Sequence, residues 1–163
     1  MKSYINKLER GSVVEFIVAL ALLAFFIKIP MGIIGGVLLN IFHLDNPLFR
    51  AAMQEPTLTR DDLLLAIGFA PLLETIIGQM IPLHITKLIG LHRRWRILIS
   101  AFAFMLFHWP VLEFFPSAFA VGVILAWGWE SSKRRFGLMQ ALVTVTLIHS
   151  LHNALVALIA ATL

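Results

Sequence analysis

Between Leu63 and Leu83 the sequence carries a single ionisable side chain, Glu74, in a run that is otherwise almost wholly apolar. A stretch of this length crosses the ~30 Å hydrocarbon core of a bilayer as one helix. A carboxylate at that depth costs several kcal/mol unless it is protonated, paired or wetted by a cavity. Some gain must offset that cost, so Glu74 is a functional-site candidate from the outset. What remains is to find which other groups reach it.

Composition makes lipid the solvent for the rest of the chain as well. Of 163 residues, 60% are hydrophobic and only 13% are charged, more apolar surface than a water-soluble domain of this size can hide. The expected class is an all-α, polytopic membrane bundle of about five transmembrane helices. Cysteine is absent, which excludes disulfides, thiolate metal sites and a cysteine nucleophile. The basic residues form no patch interleaved with exposed aromatics, so nucleic acid is not an expected partner.

In chain order, a polar and basic tail (Lys2, Lys7, Arg10) leads into an apolar run from Val13 to Ile29. No small-residue cleavage site follows it, so it reads as a retained first span rather than a signal peptide. Lys28 is expected to snorkel to the interface, and Pro30 to kink or end the helix. The glycine-containing stretch 31–42 then reads as a tilted continuation or an interfacial segment. Residues 43–62 form the longest polar segment, closed by Thr59 and Asp62 at capping-box spacing. Further spans are expected over 63–84, 97–115, 117–130 and 138–162, with Pro116 in a first helical turn and Trp127 and Trp129 in an aromatic belt. This divides the chain into an N-terminal portion, 1–62, and a four-helix core, 63–163. With the N-terminus inside, ten basic residues fall on the inner side and only Arg50 and Arg60 outside, as the positive-inside rule requires.

Three spans carry polar residues out of place in lipid: Glu74, then His108, then His149, His152 and Asn153. Counted from the inner ends of their expected spans, Glu74, His108 and His149 all lie roughly 15–17 Å deep. Groups at one level on three helices can meet. His149 and Asn153 are spaced i, i+4 and share a face, as do Phe104 and His108. A carboxylate beside a neutral imidazole can take a proton from water, and a second imidazole with a carboxamide can donate to a developing oxyanion. That is the equipment for amide hydrolysis without a covalent nucleophile. His152 reads as a structural group beside it.

These residues resemble the CPBP family of intramembrane proteases, which includes the Ras-converting CAAX endopeptidase and the bacterial abortive-infection-type proteins. Of the family pattern E-E-x-x-x-R, F-x-x-x-H and H-x-x-x-N, the second part stands here as Phe104 to His108 and the third as His149 to Asn153. The first is altered: Glu74 is kept, while Thr75 and Gln79 stand where the family has Glu and Arg. The resemblance covers about residues 63–157. It implies a conical intramembrane cavity in which Glu74 and His108 activate water and His149 with Asn153 stabilise the tetrahedral intermediate. Thr75, Gln79, Phe104 and His152 would be substrate-binding or supporting residues. The paired departures at Thr75 and Gln79 read as a charged pair exchanged for a hydrogen-bonded one.

The expected activity is endoproteolysis of a membrane-associated protein or peptide near a C-terminal sorting or CAAX-like segment, in a bacterial plasma membrane. A metal-free glutamate mechanism is the preferred expectation. The alternative is Zn²⁺ on Glu74, His108 and His149. Two other functions compete: a non-catalytic immunity or scaffold protein that holds a peptide in the same cavity, and a proton-coupled carrier.

Overall fold

Ser12 opens the first helix with a capping box. Its hydroxyl accepts from the Glu15 amide at 3.1 Å, and the Glu15 carboxylate accepts from the Ser12 amide at 3.0 Å. In the computed structural model, which describes residues 11–42 and 59–160, helix α1 then runs unbroken from Val13 to Ile41. Pro30 lies inside it and does not end it, so the stretch after Pro30 continues the same helix. The basic tail, the polar segment 43–58 and the last three residues lie outside the described residues.

A second capping box starts α2, Arg60–Leu88. The Thr59 hydroxyl accepts from the Asp62 amide at 3.2 Å, and the Asp62 carboxylate accepts from the Thr59 amide at 3.0 Å, at the spacing read from the sequence. This helix contains two widened, π-type turns, Leu65–Phe69 and Thr75–Met80. Each ends two residues before a proline, Pro71 or Pro82. Proline has no N–H and crowds the carbonyl four residues earlier. An extra residue in the turn relieves that crowding. Gly90, at φ +76, turns the chain into α3, Arg93–Leu106.

Here the expected third span is shorter than predicted. After Leu106 the chain tightens into three-residue turns, with Phe107, His108 and Trp109 amides donating to the carbonyls of Phe104, Met105 and Leu106. Pro110 explains the break, because the residue before a proline avoids helical backbone. A short 3-10 turn, Leu112–Phe114, leads into α4, Phe115–Phe136, with Pro116 in its first turn. Gly137, at φ +87, links it to α5, Leu138–Ala160. Among the described residues, four helices are long and apolar enough to cross a bilayer, and α3 is a shorter fifth.

The bundle is organised around α4, which packs on α1, α3 and α5. Small residues let the backbones approach. A Cβ on Gly122 would sit 3.0 Å from the Ala101 Cα and 3.1 Å from its carbonyl oxygen. Trp129 is only 1% exposed, in the core with Phe16, Leu20, Leu125 and Ile148, so it is a core residue and not part of an aromatic belt. At one end of the bundle Arg96 pairs with Glu130 at 2.8 Å, and Arg135 donates to the Gly11 carbonyl at 2.9 Å. These bonds gather the starts of α1 and α3 with the end of α4. The basic loops therefore share one end, as alternating spans require.

Gly122→Leu is expected to lower stability by about 1–3 kcal/mol through overpacking. Gly36→Ala, where nothing lies within 4 Å, should stay within about 0.5 kcal/mol of the parent. Thermal unfolding of both variants in detergent micelles checks this.

Candidate active site

Glu74 is the last residue before the second widened turn of α2. Its Oε2 approaches His149 Nε2 on α5 to 3.7 Å, close enough for one small rotation or one water to complete the contact. His149 is buried. Glu74 is half-buried, its side chain 27% exposed.

Phe104, at 1% exposure, contacts both imidazoles. Its ring centroid is 5.4 Å from that of His108 and 5.3 Å from that of His149. His108 sits just beyond the end of α3, not mid-helix, and its Nδ1 lies 3.3 Å from the Phe104 carbonyl oxygen. A carbonyl only accepts, so this contact places the proton on Nδ1 and leaves Nε2 with a lone pair. The i, i+4 spacing of the two residues thus sets both the aromatic contact and the tautomer.

A cavity of about 200 Å³ is lined by His108, His149, His152 and Asn153 together with Phe104 and Lys28. Glu74 meets His149 at its margin and is not among the lining residues. Of the lining residues that sequence reasoning did not place there, Lys28 is the one that carries an ammonium. Its expected snorkelling to a helix end fails because α1 continues beyond it to Ile41. The signal that could have found it is the glycine-rich apolar run after Pro30, which is helix and not interface.

Asn153 is held by a vacancy in α2. The Ala70 amide donates to the Leu65 carbonyl, and residue 71, next in line to bond the Ala66 carbonyl, is a proline. That carbonyl instead accepts from Asn153 Nδ2 at 2.8 Å. One of the two carboxamide N–H groups is used in this way, and one is left over. Lower in the helix the Gly78 carbonyl, within the second widened turn, accepts from Ser100 Oγ at 2.8 Å.

The predicted Thr75–Gln79 hydrogen bond is not made. Both side chains are fully buried, but Gln79 Oε1 lies 2.6 Å from Ser100 Oγ, while Thr75 Oγ1 and Gln79 Nε2 have no partner. In the widened turn, positions four apart no longer stack as they do on an α-helix. A Zn²⁺ ion needs at least three protein donors around one point. Among the described residues no such group of His, Asp and Glu side chains forms. The geometry therefore offers a carboxylate beside one imidazole, a second imidazole with a free lone pair, and a tethered carboxamide around one small cavity.

A family model described as Rce1-like, type II CAAX prenyl endopeptidase Rce1-like, matches residues 56–155. Comparison with curated proteins and with solved structures gave no match.

Removing Asn153 strands the Ala66 carbonyl, at a cost of about 1–3 kcal/mol. Pro71→Ala restores an N–H at the vacancy, so Asn153→Ala should cost less in that background, by about 1 kcal/mol. A double-mutant cycle on thermal unfolding measures the difference; strict additivity would show that Pro71 does not create the vacancy.

Proposed function

The chain belongs to the Rce1-like family of type II CAAX prenyl endopeptidases, and on that premise we propose that it hydrolyses a peptide bond within the bilayer by carboxylate-activated water. The observation that carries the reading is the 3.7 Å approach of Glu74 to His149 beside a cavity furnished by His108 and Asn153. A water between Glu74 and His108 loses a proton to the carboxylate while its oxygen attacks the scissile carbonyl carbon. His108, with its Nε2 lone pair, orients that water. The tetrahedral oxyanion draws on the His149 ring N–H and on the spare Asn153 N–H. Collapse breaks the C–N bond, and Glu74 returns the proton to the leaving amine, so no covalent intermediate and no metal is needed.

The site lies between helices, so its substrate is a membrane-associated protein or peptide, cut near a C-terminal sorting or CAAX-like segment. The basic tail and loops fit a bacterial plasma membrane with the N-terminus inside. One observation favours a second reading, a non-catalytic immunity or scaffold protein that holds the same peptide. Thr75 and Gln79 replace the family's charged pair, and both keep an unpartnered buried polar atom.

Glu74→Gln keeps the shape and removes the base. It should lower the cleavage rate about 10²–10⁴-fold with an unchanged thermal midpoint. The readout is mass spectrometry of peptide C-termini in membranes expressing either form. Identical C-termini together with an intact cellular phenotype in the variant would favour the scaffold.

A further inference from the structure

One group in the cavity has no part in the chemistry above. Lys28 lies about 22 Å along α1 from Val13 and about 20 Å from Ile41 at 1.5 Å per residue. It is near the middle of its helix, too far from either end for its side chain to reach an interface. By the same count Glu74 lies about 21 Å from Leu88, the end of α2 nearest the basic loops. The two opposite charges therefore sit at nearly one depth.

Lys28 is half-buried and lines the cavity with Phe114, Ser117 and the three imidazoles. Its Nζ stands 5.9 Å from the Phe114 ring centroid. Among the described residues, no carboxylate comes within ion-pair distance of it: Glu74 reaches His149, and Glu130 pairs with Arg96. An ammonium in a low-dielectric site without a counter-charge is costly, and one aromatic face recovers only part of that cost. The rest of the lining is neutral or apolar. Among the described residues, what this cavity lacks is an anion.

The size and depth of the site narrow the choice of anion. A lipid phosphate belongs at the interface, far from the level of Lys28, and a cavity of about 200 Å³ leaves little room for a headgroup. A peptide backbone is neutral, so the anion that a peptide brings to this depth is a carboxylate. We propose that Lys28 is a specificity residue whose ammonium binds a carboxylate of the substrate peptide and so sets which bond lies over Glu74 and His108. That carboxylate is either the free chain end or an Asp or Glu side chain. The proposal rests on the protease reading for the identity of the ligand as a peptide.

The test uses the full chain in detergent micelles, carrying Glu74→Gln to stop turnover. The probe is a fluorophore-labelled pool of apolar octapeptides in three forms: free C-terminal acid, C-terminal carboxamide, and carboxamide with one glutamate. Fluorescence anisotropy should show a carboxylate form binding about tenfold or more tighter than the plain carboxamide, the measure of one charge-assisted hydrogen bond. That preference should vanish in Lys28→Met and survive in Lys28→Arg, which keeps the charge and guards against simple misfolding. Preference for the acid assigns the chain end, and preference for the glutamate form assigns the side chain. Equal binding of all three forms, or a preference that persists in Lys28→Met, overturns the proposal. With native Glu74, equal kcat/KM for every form sinks the Lys28 assignment and leaves the protease intact. A Lys28-dependent preference with no cleavage sinks the protease and leaves the carboxylate site.

Discussion

A backbone carbonyl in hydrocarbon must find a donor, and much of this site follows from how α2 meets that requirement. Pro71 and Pro82 each delete an N–H from the one helix that carries the carboxylate. Lipid offers no replacement, so donors come from neighbouring helices: Asn153 on α5 supplies Ala66, and Ser100 on α3 adds a second tie at the Gly78 carbonyl. Glu74 lies between these two ties. The same substitutions of side chain for backbone donor that keep α2 tolerable in a membrane also fix its rotation relative to α3 and α5. The carboxylate is aimed by the repair of the helix that bears it.

How much of this was legible in the sequence depends on whether an ordinary helical period held. The i, i+4 pairs Phe104/His108 and His149/Asn153 sit on α-helical or nearly helical backbone: the first pair is in contact, and the second lines one cavity. The shared depth of Glu74, His108 and His149 survived too, although His108 reaches its level from a turn after α3. Where proline changed the period, the reading failed. Thr75 and Gln79 lie in a widened turn, so a pair four apart did not form. The chain was expected to kink or stop at Pro30, and the helix continues past it to Ile41, which moved Lys28 from a helix end to the cavity wall. Trp129 looked like an interface anchor because its helix was drawn too short; α4 continues to Phe136 and carries it into the core.

The altered first motif takes on a physical sense in this setting. A Glu and an Arg at positions 75 and 79 would be a buried ion pair, stable only with close contact and further hydrogen bonds. Thr75 and Gln79 avoid that desolvation and leave the α2–α3 contact to a neutral bond from Ser100 to Gln79. The exchange removes a carboxylate and a guanidinium together, so the net charge around Glu74 is unchanged. What changes is rigidity, because two buried polar atoms are left without partners. Such atoms favour local rearrangement over a single locked geometry.

Phe104 serves both histidines at once. Its ring contacts the imidazoles of His108 and His149 at nearly equal distances while its carbonyl selects the His108 tautomer. His108 thereby keeps an Nε2 lone pair for a water, while His149 turns its Nε2 towards Glu74. Gly78 makes this placement of Phe104 possible, because a Cβ there would stand 3.2 Å from the Phe104 ring and 3.4 Å from its Cα. A glycine in the widened turn of α2 thus admits the aromatic residue that both histidines contact, and the turn exists because Pro82 follows it.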